Sequence, residues 1–200
     1  MRTLLEAHQA TFARSGEPVF RPVDLDLTGG QAQLVRGTNG SGKTTLLRLL
    51  AGILRPSSGT VARHASVAFL GHLSAFKSDL SCRENLDFWR RFRATSSGLD
   101  NNRALARVGL AGLGLRPSRT LSAGQKRRLG LAGLLVAPAA IWLLDEPYAS
   151  LDDAGCALVD ELLAEHIGRD GAVVLSTHQR LPELNSRPAS LTVESPEVSA

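Results

Sequence analysis

Apolar positions alternate with polar or β-tolerant ones through residues 2–12 and again through 19–27, which predicts two strands joined by a turn at Ser15-Gly16-Glu17-Pro18. Gln33 to Arg36 reads as a short strand that runs into a glycine-rich stretch. From Thr44 to Leu54 the leucines at 46, 47, 49, 50 and 54 predict a helix buried on most sides, stopped at Pro56-Ser57-Ser58-Gly59. Ser66 to Leu70 is a further strand. Ser81-Cys82-Arg83-Glu84 has the spacing of a capping box, in which the Ser hydroxyl and the Glu carboxylate satisfy backbone N–H groups at a helix start. That helix should reach about Arg93 and carries Leu86, Phe88, Trp89 and Phe92; Thr95-Ser96-Ser97-Gly98 breaks it, and helical pieces follow to about Leu115. Ile141 to Leu144 and Ala172 to Leu175 are compact apolar strands with a helix near 153–168 between them. Strands alternating with helices imply a parallel sheet covered on both faces. Glu194 to Ala200 should be loose.

Composition narrows the class. At 200 residues the chain is about one domain, long enough to bury a core without disulfide or metal staples. A 43% hydrophobic content with 19 glycines excludes a disordered chain. The net charge of +4 is spread along the sequence rather than gathered in a block, so nucleic acid is not an expected partner. Arg127 and Arg128 are expected on a solvated helix face. Cys82 and Cys156 lack metal spacing and suit a reducing compartment. Met1 to His8 has no apolar signal core, and the longest uncharged run, Gly130 to Leu144, is shorter than the roughly 20 residues a spanning helix needs. The expectation is a chain that does not cross a membrane by itself.

The candidate chemistry begins at Gly37-Thr38-Asn39-Gly40-Ser41-Gly42-Lys43-Thr44, which matches G-x-x-x-x-G-K-[ST] between a strand and a helix. Glycines let backbone N–H groups close around a phosphate, and a helix N-terminus adds positive potential. Lys43 would reach the β- and γ-phosphates of a nucleoside triphosphate and the Thr44 hydroxyl would ligate Mg²⁺, with Thr45 following on the same helix start. Ile141-Trp142-Leu143-Leu144-Asp145-Glu146 places two carboxylates at the end of an apolar strand, the edge where open α/β sheets bind ligands. Asp145 suits the Mg²⁺ shell, and Glu146 could polarise the attacking water. Leu121-Ser122-Ala123-Gly124-Gln125 has two readings: Ser122 and Gln125 form a capping box, or the same helix start faces a second phosphate.

The order of the phosphate loop (37–44), Leu121 to Gln125, Leu143-Leu144-Asp145-Glu146-Pro147, Ser150-Leu151-Asp152 and Ser176-Thr177-His178 resembles the ATP-binding subunit of ABC transporters over nearly the whole chain. Phe69-Leu70-Gly71-His72, Asp79 to Leu86, Ser122 to Arg128 and Ser176 to Gln179 are similar to the ATPase subunit of the cytochrome c maturation system, a family described as haem exporter ATPases. The resemblance implies an α/β P-loop NTPase fold: a RecA-like core with the ABC antiparallel β element (1–75 and 121–200) and an inserted helical subdomain (76–120). It implies a head-to-tail homodimer around ATP, in which Ser122, Gly124 and Gln125 of one copy bind the γ-phosphate held by Gly37 to Thr45 of the other. Asp152 would lie at the seam and His178 would contact the γ-phosphate. Phe12 falls where the family stacks an aromatic on adenine; a core position is the alternative. The partners implied are integral membrane subunits, at the cytoplasmic face of the inner membrane.

ABC ATPases usually carry a Gln between the phosphate loop and the second helix-start motif, contacting Mg²⁺ and the membrane partner; here no Gln lies within 34–124 and His72 stands in that place. The cytochrome c maturation ATPases are similar in having Gly-His there. His72 is expected to join the nucleotide site to a membrane-facing groove, a role that its titration near neutrality would make pH-sensitive. Among Phe76, Leu80, Leu86, Phe88, Trp89 and Phe92, most should be core and a few could line that groove. The implied function is ATP hydrolysis coupled to haem export or to release of a haem-loaded chaperone, with no direct haem site expected on this chain, since no Cys-x-x-Cys-His motif is present. The runner-up is the ATPase of another transporter. A soluble ABC ATPase acting on DNA or ribosomes would carry a coiled coil or tandem cassettes, and a non-hydrolysing ATP-gated module would not need Lys43, Asp145, Glu146 and His178 together.

Overall fold

In the computed structural model, which describes residues 2–71, 76–94, 97–178, 180–184 and 187–196, the chain opens with strand β1 (Thr3–Thr11), a small hairpin of β2 (Ala13–Arg14) and β3 (Glu17–Pro18), then β4 (Val23–Thr28) and β5 (Ala32–Arg36). Helix α1 (Lys43–Leu50), β6 (Ser58–Arg63) and β7 (Val67–Leu70) follow, then the helices α2 (Cys82–Phe92), α3 (Asn101–Arg107) and α4 (Ala123–Val136). The last third alternates as β8 (Ile141–Asp145), α5 (Asp153–Gly168), β9 (Ala172–Ser176) and β10 (Ala189–Thr192). Strands β10-β5-β9-β8-β7 form a five-stranded sheet whose neighbours are all parallel, and β4-β1-β6 form an antiparallel sheet.

Every residue of β8 and β9 is buried, which the apolar composition of both strands requires of the centre of a parallel sheet. Side-chain alternation sends Ile141, Leu143, Ala172 and Val174 to one face, where they meet Leu46, Leu47, Leu49 and Leu50 of α1 and the antiparallel sheet. Trp142, Leu144, Val173 and Leu175 point to the other face and share a core with α2, α3, α4 and α5. Both sides of the sheet are therefore closed, and its carboxyl edge is left for ligands.

Several boundaries differ from expectation. The 19–27 strand starts only at Val23, because Glu17 and Pro18 pair back on Arg14 and Ala13 across a turn with Ser15 at φ 53° and Gly16 at φ 90°. Helix α1 ends at Leu50 rather than Leu54: Gly52, at φ 78°, closes a Schellman motif in which Ile53 N–H donates to Arg48 C=O (3.0 Å) and Gly52 N–H to Leu49 C=O (3.1 Å). Strands β6 and β10 had no sequence expectation. Both are mostly exposed edge strands whose pattern is set by their partners, β1 and β5, rather than by their own alternation. Of the break expected at 95–98, residues 95–96 lie outside the described residues; of the end expected to be loose, residues 197–200 lie outside them, but Glu194 is tied to Arg21, whose N–H donates to its C=O (2.9 Å).

The helical layer is fastened by one aromatic wedge. Trp89 of α2 stacks on Phe76 (centroids 5.3 Å apart) and its ring occupies the space a Cβ on Gly133 of α4 would need. Gly133→Ala gains about 1 kcal/mol of helix propensity but overpacks a rigid indole, at a cost of roughly 1–3 kcal/mol. The expected result in urea titration is a lower midpoint; a midpoint raised by the full propensity gain would contradict this packing.

On the same face His166 of α5 stacks on Trp142 (centroids 4.0 Å, planes 6° apart), with its Nε2 3.2 Å from Ala140 C=O. Burial drives the imidazole down to about 4, with the Ala140 carbonyl partly opposing. Because the unfolded chain binds the proton first, near 6.5, stability is complete above that pH and falls as pH drops toward 4, by about 3 kcal/mol from this residue. Denaturant midpoints measured from pH 7 to 4 should drop steeply in the natural chain and more shallowly in His166→Gln.

Candidate nucleotide site

The glycine-rich loop is shaped by backbone geometry that side chains would obstruct. Gly37 lies at φ 152°, where a Cβ would run into Ser41 and the Val193 carbonyl, and Gly42 lies at φ 100°, where a Cβ would come within 2.8 Å of Phe20. Gly42 caps α1, so Lys43 is the first helical residue. The Lys43 side chain curls back over the loop and donates to the Gly37 and Thr38 carbonyls (3.0 and 2.8 Å) while 8% exposed. An ammonium held on the loop's own carbonyls is ready to be drawn onto a phosphate.

Across the loop, β8 delivers Asp145 and Glu146. The Thr44 hydroxyl donates to Asp145 Oδ2 (2.8 Å), and the buried Ser176 hydroxyl of β9 donates to Asp145 Oδ1 (2.7 Å). Glu146 sits at φ 51°, a left-handed conformation unusual for Glu, which Ser176 holds by accepting the Glu146 N–H (3.1 Å). The strain belongs to the site, since it turns the Glu146 carboxylate toward His178: His178 N–H donates to Glu146 Oε2 (3.2 Å) and its Nε2 is 3.5 Å from Oε1.

These residues share a cleft of about 590 Å³ lined by Asn39, Gly40, Gly42, Lys43, Thr44, Thr45, Asp145, Glu146 and His178, with Arg14, Val19 and Ala149 completing its walls. The structure thus brings the phosphate loop, both carboxylates and the histidine together. Phe12 does not line the cleft; it is half-buried against the β1/α1 core, and Val19, whose N–H donates to Phe12 C=O (2.7 Å), stands on the wall instead. Ser122, Gly124 and Gln125 lie apart from the cleft. Ser122 Oγ accepts the Gln125 N–H (3.2 Å) and Gln125 Oε1 accepts the Ser122 N–H (3.0 Å), so the capping-box reading holds. His72 lies outside the described residues. Ser176, quoted as part of a motif but given no role, and Arg14 and Val19 were missed; only Ser176 carried a local signal.

Two arginines correct the expectation of a solvated face. Arg127 is 4% exposed and donates to Gly71 C=O (3.0 Å). Burial lowers its guanidinium below the usual range, opposed by the Asp145 and Glu146 charges, so it forms part of the site's electrostatics. Arg128 reaches from α4 to Val108 C=O (3.2 Å) and to Asp152 Oδ1 (2.8 Å), the residue that caps α5 by accepting Gly155 N–H. The Gly155 amide and then Arg128 hold the Asp152 carboxyl below its usual range. Among the apolar residues of 76–92, Leu86 is buried, Phe88 and Phe92 stack on each other (6.1 Å) and line an apolar groove of about 460 Å³ with Ile53 and Phe69, and the half-buried Trp89 both packs on the core and lines that groove.

The ABC transporter family model matches residues 20–149. The cytochrome c biogenesis ATP-binding export protein CcmA of Xanthomonas axonopodis pv. citri is 44% identical over 201 residues, 96% of this chain and 94% of its own length. The chain belongs to the ABC transporter ATP-binding proteins, in the cytochrome c biogenesis export branch. The CcmA protein of Rhodobacter capsulatus is 46% identical over 177 residues, covering 88% of this chain and 81% of that protein. Among solved structures, the cbiO1 subunit from Clostridium perfringens, part of the cbiONQ transporter complex, superposes with a TM-score of 0.67 at 26% identity over 90% of this chain and 80% of that one. An ATP-binding subunit of an ABC transporter superposes at 0.79 with 20% identity, over 88% and 80%, a likeness of fold. The α/β P-loop architecture with its antiparallel β element is that of the family, and as a member of it this chain binds ATP and is an ATPase.

Proposed function

We propose that this chain hydrolyses Mg·ATP to drive the export step of cytochrome c biogenesis, working from the cytoplasmic face of the membrane as the peripheral subunit of a transporter. The observation that carries the reading is the convergence of Lys43, Thr44, Asp145, Glu146 and His178 in one cleft. Glu146 acts as the base that takes a proton from the attacking water, His178 orients against the γ-phosphate, and Lys43 holds the β- and γ-phosphates. The metal donors fit: a Thr hydroxyl and an Asp carboxylate meet at 2.8 Å, an all-oxygen pair suited to Mg²⁺ rather than a softer ion. Thr44 and Asp145 would hold the ion, and its charge would offset that developing on the phosphate oxygens.

Among the described residues the cleft is lined from the phosphate loop, the 145–149 turn and His178. Ser122, Gly124 and Gln125, at the start of α4, suit a facing wall when a second copy packs head to tail, because a capped helix start presents positive potential to an anion. The Phe88/Phe92 groove would receive a helix of the membrane subunit, since stacked, exposed aromatics at the edge of the α2 layer form an apolar seat. On this division residues 76–120 act as the partner-facing subdomain. No helix among the described residues is long and apolar enough to cross a membrane. Haem handling falls to the membrane partners, and nucleic acid has no part in the cycle.

A tagged Glu146→Gln chain purified with ATP from detergent-solubilised native membranes tests the assignment. Haem-handling membrane subunits should co-purify. An unrelated permease would overturn the cytochrome c branch of the proposal, and ribosomal or DNA-repair proteins would overturn the transporter reading.

A further inference from the structure

Away from the cleft, α5 buries a carboxylate that the chemistry above does not use. Asp160 is 7% exposed and accepts three hydrogen bonds: from the Tyr148 hydroxyl (2.6 Å), from Arg180 Nη2 (3.0 Å) and from Glu183 N–H (3.2 Å). Tyr148 lies two residues beyond Glu146, and Arg180 lies two residues beyond His178. At the cleft the two segments are already joined, by His178 N–H on Glu146 Oε2 (3.2 Å). Asp160 joins them a second time from behind.

The chemistry of that second joint argues for more than stability. Taking the Asp160 carboxylate out of water costs about as much as its attraction to the part-exposed Arg180 returns, so an apolar residue would serve packing equally well at this position. What the ion pair adds is direction. Tyr148, 1% exposed, stays protonated because burial and then the Asp160 carboxylate push its phenol up, so it remains a donor. The same Arg180 Nη2 also donates to Glu183 Oε1 (2.6 Å). Four side chains from α5, the turn after β8 and the segment after β9 thus form one unit, with Glu146 at φ 51° at one end and His178 at the other.

We infer that Asp160 is a positioning residue for ATP hydrolysis: through Tyr148 and Arg180 it holds the segments that carry Glu146 and His178 in register, without touching nucleotide. The inference rests on the proposed roles of Glu146 and His178.

The test compares Asp160→Ala, Asp160→Asn, Tyr148→Phe and Arg180→Gln in the full chain, measuring kcat and KM for ATP hydrolysis together with the affinity for a fluorescent ATP analogue. Asp160→Ala should lower kcat roughly tenfold or more, the scale on which misplaced catalytic groups lose rate, with KM and analogue affinity within about twofold. Asp160→Asn should fall between, because its amide oxygen still accepts from Tyr148 and Glu183 but its charge no longer answers Arg180. Lowered melting temperature with natural kcat in the folded variants would reduce Asp160 to a stabilising residue and overturn the inference. Should Asp160→Ala not fold, Tyr148→Phe and Arg180→Gln decide: each must lower kcat at unchanged KM, and natural kcat in both overturns it. Glu146→Gln measured alongside separates the two levels. Retained turnover there removes the reading of the site, whereas lost turnover there with natural kcat in the Asp160 set removes only the positioning role.

Discussion

Glu146→Gln should hydrolyse ATP roughly 10²–10³-fold more slowly than the natural chain while binding it as tightly, since a positioned general base contributes about 10²–10⁴. The substitution is nearly isosteric. Gln keeps an oxygen that can accept the His178 N–H now given to Glu146 Oε2 at 3.2 Å, so the geometry of the pair survives. What disappears is the ability to take a proton from water. The Glu146 side chain is only 17% exposed, beside Asp145, which the Thr44 and Ser176 hydroxyls hold, and near the buried Arg127. Phosphate release and the affinity of a fluorescent ATP analogue, measured on the same preparation, give the two numbers. Unchanged phosphate release would remove Glu146 from the chemistry.

Lys43→Ala should fail at the earlier step. Its ammonium is buried at the start of α1 and held by two loop carbonyls, Gly37 and Thr38. With phosphate present the same donors make charge-assisted bonds worth about 1.5–3 kcal/mol each, so losing two of them weakens ATP binding roughly 10²-fold or more. The Ala variant also leaves the two carbonyls without that donor. An analogue titration with near-natural affinity would show that the loop alone holds the phosphates and that Lys43 is structural.

The phosphate loop and the Asp145–Glu146 pair were legible because their chemistry is written in contiguous residues whose spacing follows from the strand, turn and helix they occupy. The central strands were legible for a similar reason: β8 and β9 are apolar throughout because both faces are covered. Strands β6 and β10 were not, since an exposed edge strand owes its conformation to a distant partner; His8 opposite Thr60 and Val35 opposite Leu191 are pairings no local pattern announces. Arg127 looked like surface because Lys126, Arg127 and Arg128 are consecutive, yet helical geometry turns the middle one inward to Gly71. The Tyr148–Asp160–Arg180 unit was illegible for the plainest reason, three polar residues on three elements, met only when α5 packs beside the turn after β8. The wall of the cleft shows the same limit: Phe12 and Val19 are joined by one backbone hydrogen bond, but only the fold decides that Val19 faces the cleft.

The central claim is that ATP turnover in this cleft powers cytochrome c biogenesis. The direct measurement is haem staining of c-type cytochromes in cells whose own copy of this chain is replaced by Glu146→Gln at natural expression, with b-type cytochromes measured spectroscopically in the same membranes. Loss of the c-type bands with b-type haem intact is the predicted result. Normal c-type cytochromes in cells that carry only the non-hydrolysing chain would contradict it.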